Sequence, residues 1–254
     1  MRNEKRRVLF IDSATLEEID TALSKGFKGV TTNPSLIAKV PKGESDKSFI
    51  ERYMEHMNSI ANICRKYPDR YGKYPSLSVE VFSNDPDEMI KQAKEMRKKI
   101  PYINLAIKVP ISYKGQDYLK VIRMLSMDGI DVNCTCGFST GQLELAAQAG
   151  ARYISLFYNR LIDYFNSLPN SDGDGKEKSL QIIRNLRKYL DENSELNCEI
   201  IQGSIRKGFD VVEGWESGAD IVTAGLKIIP EMTQHSGTDA SVEGFLKDLE
   251  GWMK

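Results

Sequence analysis

A chain of 254 residues that is 41% hydrophobic and 28% charged has ordinary globular composition, which excludes disorder and allows one extensive core. Its formal charge of -1 at pH 7 excludes a general attraction to nucleic acid or anionic membrane, so an anion must be met by a local pocket, and small molecules are the expected partners. No run approaches the ~18 apolar residues of a membrane span; MRNEKRR enters a short strand-like run without a signal-peptide core, and Cys64, Cys134, Cys136 and Cys198 form neither a CxxC pair nor a disulfide framework, so a reduced cytoplasmic setting is expected.

In chain order, short β-branched runs alternate with longer segments of helical period. Val8 to Asp12 reads as a strand, followed by a helix from about Thr15 to Ser24 and a return at Gly26 and Gly29. Gly29 to Thr32 is the second strand, with helical material to about Tyr67. Leu77 to Phe82 and Ile103 to Val109 are the third and fourth, followed by helices over about Pro86–Lys99 and Lys114–Met127. Ile130 to Thr135, Tyr153 to Phe157, Glu199 to Gln202 and Asp220 to Ala224 continue the rhythm. Their helices span about Ser139–Ala149, Gly175–Leu190, Lys207–Ser217 and a terminal region. Parallel strands joined by helices, eight times over and without a linker, predict a single (β/α)8 TIM barrel domain across residues 1–254. Pro41–Ser48 and Pro169–Gly175 read as surface loops. The stretch Val242–Trp252 carries Val242, Phe245, Leu246, Leu249 and Trp252 on one face of a C-terminal helix, which is expected to pack across the barrel or against a neighbouring subunit.

A barrel of this kind presents its reactive groups at the C-terminal ends of the strands. There the sequence offers Asp12, Asn33, Glu80, Lys108, Asn133, Thr135, Phe157, Arg160, Ser204 and Arg206. Lys108 follows the apolar run Ile103–Ile107 and precedes Val109-Pro110, so its stem is expected inside. A lysine there either snorkels and pairs with a carboxylate, or serves as a Schiff-base amine whose pKa is lowered by burial. Asp12 and Glu80 project to the same mouth, either as proton carriers around a carbinolamine and an imine or as partners in a structural network with Lys108. Asn33 and Asn133 suit sugar hydroxyls, with a turn role as the alternative, and Thr135 faces as Asn133 does and can orient a water. Arg160 and Ser204-Ile205-Arg206 suggest a phosphate site where a helix start leaves N–H groups free, the alternative being surface salt bridges. His56 and His235 suit neither a metal cluster nor a triad, and GxGxxG and P-loop motifs are absent, so neither metal nor cofactor is expected.

Taken together, FIDSA, GVTTNPSLI, SVEV, IKVP, NCT and GSIR resemble the transaldolases, in the same order and over about Leu9 to Leu249. The resemblance implies that Lys108 is the Schiff-base lysine, that Glu80 is the acid/base working through a water held by Thr135, and that Asp12 takes the substrate hydroxyl proton during carbon–carbon cleavage. It further implies that Asn33, Asn133, Ser155 and Phe157 line the substrate site and that Arg160, Ser204 and Arg206 hold its phosphate. Where many relatives read NVTLVFS and SPFVGR, this chain reads Asn133-Cys-Thr-Cys-Gly-Phe-Ser139 and Ser155-Leu-Phe-Tyr-Asn-Arg160, changes that flank the site. The expected activity is transfer of a dihydroxyacetone unit from fructose 6-phosphate or sedoheptulose 7-phosphate to an aldose phosphate. The rivals are a fructose-6-phosphate-aldolase-like enzyme, whose relatives carry glutamine and tyrosine at the positions of Glu80 and Phe157, and a silent phosphosugar-binding barrel. A homo-oligomer is among the expectations.

Overall fold

A computed structural model describes residues 7–41 and 48–253, so most of the surface loop expected at Pro41–Ser48 lies outside the described residues. Eight parallel strands close into a barrel: β1 (Val8–Asp12), β2 (Gly29–Thr31), β3 (Ser76–Glu80), β4 (Leu105–Pro110), then β7 (Asp131–Gly137), β8 (Tyr153–Phe157), β9 (Glu199–Gly203) and β10 (Ile221–Ala224), which pairs back with β1. Helices α1 (Leu16–Ser24), α2 (Pro34–Ile37), α3 (Phe49–Cys64), α4 (Pro86–Lys99), α5 (Leu119–Met127), α6 (Thr140–Gln148), α7 (Tyr158–Ser167), α8 (Gly175–Glu192), α9 (Gly208–Ser217) and α10 (Ile228–Thr233) surround it. The expected (β/α)8 barrel is therefore the observed one, followed by the C-terminal helix α11 (Ser236–Trp252).

Local chemistry explains the element ends. Asp85 accepts from Glu88 N at 2.9 Å ahead of Pro86, Asp87 and Glu88 sit in the first turn of α4, and Arg97, Lys98 and Lys99 close it, so cap and charges all favour that helix. A Ser48–Glu51 capping box starts α3.

Outward strand residues such as Ile11, Val30, Leu77, Ile107 and Val132 are fully buried under the helices. Each such side chain contributes about 1.5–3 kcal/mol. Inside the barrel a second cluster of Phe10, Ala106, Tyr153, Ile201 and Ile221 fills the lower layer. Because inward positions recur every second residue, the layer above this floor holds Asp12, Lys108, Ser155 and Thr223. An apolar floor beneath and a helix ring around are what bury those polar groups.

Three features depart from the expected pattern. Where a helix was expected from Lys114, the chain first makes a hairpin of β5 (Ser112–Tyr113) and β6 (Gln116–Asp117), turning at Lys114 (φ 45) and Gly115 (φ 84); two successive positive φ values give the turn that matches strand twist. The stretch after β8, which carried no helix in the reading above, forms α7, with Tyr158 and Leu161 buried and Ile162 and Phe165 packed against the core. Helix α11 does not pack across its own barrel: it buries no residue, Phe245 is 71% and Trp252 91% exposed, and its apolar stripe is open. Among the described residues no helix is long and apolar enough to cross a membrane.

Candidate active site

Strand register does the first part of the assembly. Glu80 is paired with Lys108, and Lys108 with Asn133, so three side chains from β3, β4 and β7 stand abreast on the inner wall. Lys108 is 5% exposed. Its Nζ lies 3.0 Å from Glu80 Oε2 and donates to the Thr32 carbonyl at 2.7 Å. An ammonium removed from water this far costs several kcal/mol unless it is paired and hydrogen-bonded, and here it is both. Tyr53, reaching in from α3, accepts from Glu80 N at 3.2 Å and packs edge-on against Phe82, which steadies the end of β3.

Asp12 completes the ring of ionisable groups. Thr31 Oγ1 donates to its Oδ1 at 2.8 Å and lies 2.6 Å from Thr223 Oγ1. Burial pushes the Asp12 carboxyl above the usual carboxylate range, and the charge of Lys108 and the Thr31 hydrogen bond offset part of that rise. Such a shift moves a carboxylate toward the range useful to a general base. In the folded chain Asp12 keeps its proton to higher pH than in the unfolded chain, so its ionisation subtracts stability as pH rises from 3.8 through the folded value. Asp12→Asn is therefore predicted to raise Tm at neutral pH, with variant and parent converging below about pH 4. Melting curves separated by a constant interval from acid to neutral pH would contradict this origin.

On the other side of Lys108, Asn133 donates to Ser78 Oγ at 3.1 Å and accepts from Ser155 Oγ at 2.7 Å, which fixes its amide orientation. Thr135 is 1% exposed, and its hydroxyl has no hydrogen-bond partner of ordinary geometry, with the Cys136 thiol alongside. The β7–β8 register shifts here, Cys134 pairing with Ile154 but Gly137 with Leu156. Thr135 keeps the inward facing of Asn133, the extra residue turns Gly137 outward, and a Cβ on Gly137 would meet Leu143 at 2.5 Å. Such bulges re-aim side chains next to reactive centres.

These groups converge on a cavity of about 80 Å³ at the C-terminal mouth. Asp12, Asn33, Lys108, Asn133, Thr135, Ser155, Phe157, Arg160 and Ser204 line it, and Glu80 joins through its ion pair. Asn33 also caps α2, accepting from Leu36 N at 3.0 Å. A larger groove of about 770 Å³ between α2 and α3 meets the site at Asn33 and Glu80, but its walls, including Ile37, Phe49 and Phe82, are mainly apolar. The Lys108 amine and Asp12 line the small cavity, and Glu80, paired with Lys108, lines the groove beside it. Thr223 was not singled out from sequence; the signal was parity, since it lies two residues after the inward Ile221. His56 bonds the Ala14 carbonyl and His235 caps α11.

At the α7 side of the mouth, the Arg160 guanidinium stacks 4.9 Å over the Phe157 ring. Arg206 does not reach the cavity: it forms a two-pronged pair with Asp163 of α7, Nη1 to Oδ1 at 2.9 Å and Nη2 to Oδ2, with both side chains more than half exposed. The helix-start amides expected to be free are taken. Arg206 N and Lys207 N donate to Asp210 Oδ2 at 3.0 and 3.1 Å, and Gly208 N donates to Glu231 Oε2 at 2.6 Å. The α9 N-terminus is thus neutralised by internal carboxylates.

A family model described as Transaldolase/Fructose-6-phosphate aldolase matches residues 9–253. A protein of Caldicellulosiruptor saccharolyticus described as a probable transaldolase is 38% identical over 243 residues, 95% of this chain and 96% of that one. A Clostridioides difficile protein with the same description is 36% identical over 243 residues, with the same shares of each chain. Among solved structures, thiamine phosphate pyrophosphorylase from Pyrococcus furiosus superimposes with a TM-score of 0.55 at 10% identity, covering 90% of this chain and 94% of that one. A 2,3-dimethylmalate lyase gives 0.54 at 14% identity, covering 97% and 83%. At such identities the likeness is one of fold.

Proposed function

Because the chain belongs to the transaldolase/fructose-6-phosphate aldolase family, we propose that it is a Schiff-base transaldolase that moves a dihydroxyacetone unit from fructose 6-phosphate or sedoheptulose 7-phosphate to an aldose phosphate. The observation that supports this most is the buried Lys108 amine 3.0 Å from Glu80, with Asp12 at the same cavity. In this reading Glu80 accepts the proton that leaves Lys108 Nζ, and the neutral amine adds to the ketose C2 carbonyl. Glu80, through a water held by Thr135, returns a proton to the carbinolamine hydroxyl, which departs as water and leaves an iminium. Asp12 takes the C4 hydroxyl proton, the C3–C4 bond breaks, and its electron pair flows into the iminium to form an enamine. The enamine then adds to the incoming aldehyde, and hydrolysis frees Lys108. Asn33, Asn133 and Ser155 hold sugar hydroxyls or the intermediate. Arg160, Ser204 and, after exchanging Asp163 for phosphate, Arg206 hold the phosphate. The exposed Asp163 pair is cheap to exchange, since ion pairs in water contribute about 0–1 kcal/mol.

The second reading, release of free dihydroxyacetone, turns on water near the imine. Phe157 offers a ring and no hydroxyl, which favours transfer. Incubation with fructose 6-phosphate and erythrose 4-phosphate, with both products followed, tests the two readings together: transfer should dominate, and a parent enzyme that mainly releases dihydroxyacetone would make it an aldolase. Phe157→Tyr places a proton donor and acceptor near the imine and is expected to raise the release-to-transfer ratio; an unchanged ratio in a folded, active variant would reduce Phe157 to an apolar wall. We place the enzyme in the cytoplasm, consistent with its free cysteines, and assign the open stripe of α11 to self-association.

A further inference from the structure

Asn159, the residue before Arg160, is 8% exposed, and both hydrogens of its amide nitrogen are used. Nδ2 donates one hydrogen to the Ser204 carbonyl at 2.9 Å and the other to Asp210 Oδ2 at 2.8 Å. The same Asp210 oxygen takes the Arg206 and Lys207 amides, and Asp210 is itself 8% exposed. One buried pair therefore ties the first turn of α7, which carries Arg160, to the loop that leaves β9. That loop needs holding: Ser204 has φ 62, a left-handed conformation that residues with a Cβ adopt rarely, and Ser204 lines the mouth beside Arg160. Burying an amide and a carboxylate costs free energy unless they are hydrogen-bonded, and here the bonds of Asn159 Nδ2 and Asp210 Oδ2 join the two segments that flank the anion-facing end.

We propose that Asn159, backed by Asp210, is the positioning residue of the phosphate end of the site: it touches no substrate but sets Ser204 against Arg160 at the spacing a phosphate requires. The inference rests on the transaldolase reading above for the identity of the anion. It differs from a general folding role in what it predicts. A scaffold residue lowers all activities in step, whereas a positioning residue at this end weakens recognition of the phosphate and leaves the amine chemistry alone.

Asn159→Ala should raise KM for fructose 6-phosphate about tenfold, the equivalent of one well-made hydrogen bond, with kcat and the rate of borohydride trapping by unphosphorylated dihydroxyacetone close to the parent. Asp210→Asn keeps an acceptor oxygen in place and should keep the parental KM, while Asp210→Ala should follow Asn159→Ala. Calorimetry in a Lys108→Met background reads the same effect without covalent chemistry: Kd for fructose 6-phosphate should rise about tenfold on adding Asn159→Ala, and Kd for fructose should not. An unchanged KM and Kd, or a fall in trapping and kcat in step with the rise in KM, overturns the proposal. If the parent forms no adduct yet loses phosphate-dependent affinity on Asn159→Ala, the Schiff-base reading fails and this one stands.

Discussion

Lys108→Met is expected to lower turnover by on the order of 10⁶-fold, the scale seen when a covalent nucleophile is removed. Methionine keeps the length and apolar body of the stem but offers no nitrogen, so the carbinolamine and every later step are lost. Binding of phosphorylated donors should persist, because Arg160, on α7, and Ser204, in the loop after β9, do not depend on Lys108 for their placement. The same change removes the cation beside Glu80 at 3.0 Å, and with side chains only 6% and 15% exposed the orphaned carboxylate should cost up to about 3 kcal/mol of stability at neutral pH. Borohydride reduction with fructose 6-phosphate should attach a three-carbon unit to Lys108 in the parent and nowhere in the variant. An adduct mapped to another lysine, or full activity without an adduct, would sink the assignment.

Glu80→Gln comes second, with kcat expected to fall by about 10²–10⁴-fold, the usual contribution of a positioned acid or base. Glutamine preserves shape and can still accept from Lys108 Nζ, so the KM for the donor should move little. The loss should fall on the steps that move protons: formation and dehydration of the carbinolamine and, in reverse, hydrolysis of the imine. Rapid-quench trapping separates these from carbon–carbon cleavage. If trapping with dihydroxyacetone proceeds at the parental rate in Glu80→Gln, the carboxylate is only a structural partner of Lys108, which is the network reading its sequence position allowed. Thr135→Val, which removes the unpartnered hydroxyl, should share the same kinetic signature if a water bridges the two.

The strands were readable from residue order because each is a short buried run closed by strong helix signals, as Asp85-Pro86 shows after β3 and Gly218, at φ 108, shows after α9. Placing Lys108, Glu80, Asp12, Asn133 and Thr135 at one mouth also needed only alternation and the parallel direction of the strands, both local properties of the chain. What residue order could not supply were relations between distant segments. The lateral pairing of Glu80, Lys108 and Asn133, the bulge that turns Gly137 outward, and Thr223 sharing a hydrogen bond with Thr31 all depend on register across strands. Arg206 is the clearest case: GSIR placed it at a helix start, but its side chain answers to Asp163, 43 residues away, and the amides beside it to Asp210 and Glu231. Periodicity records which face a residue shows. Which charge it meets there is decided by packing, because hydrogen bonds reach only a few ångströms and Coulomb attraction weakens with separation in space, and both are indifferent to distance along the chain.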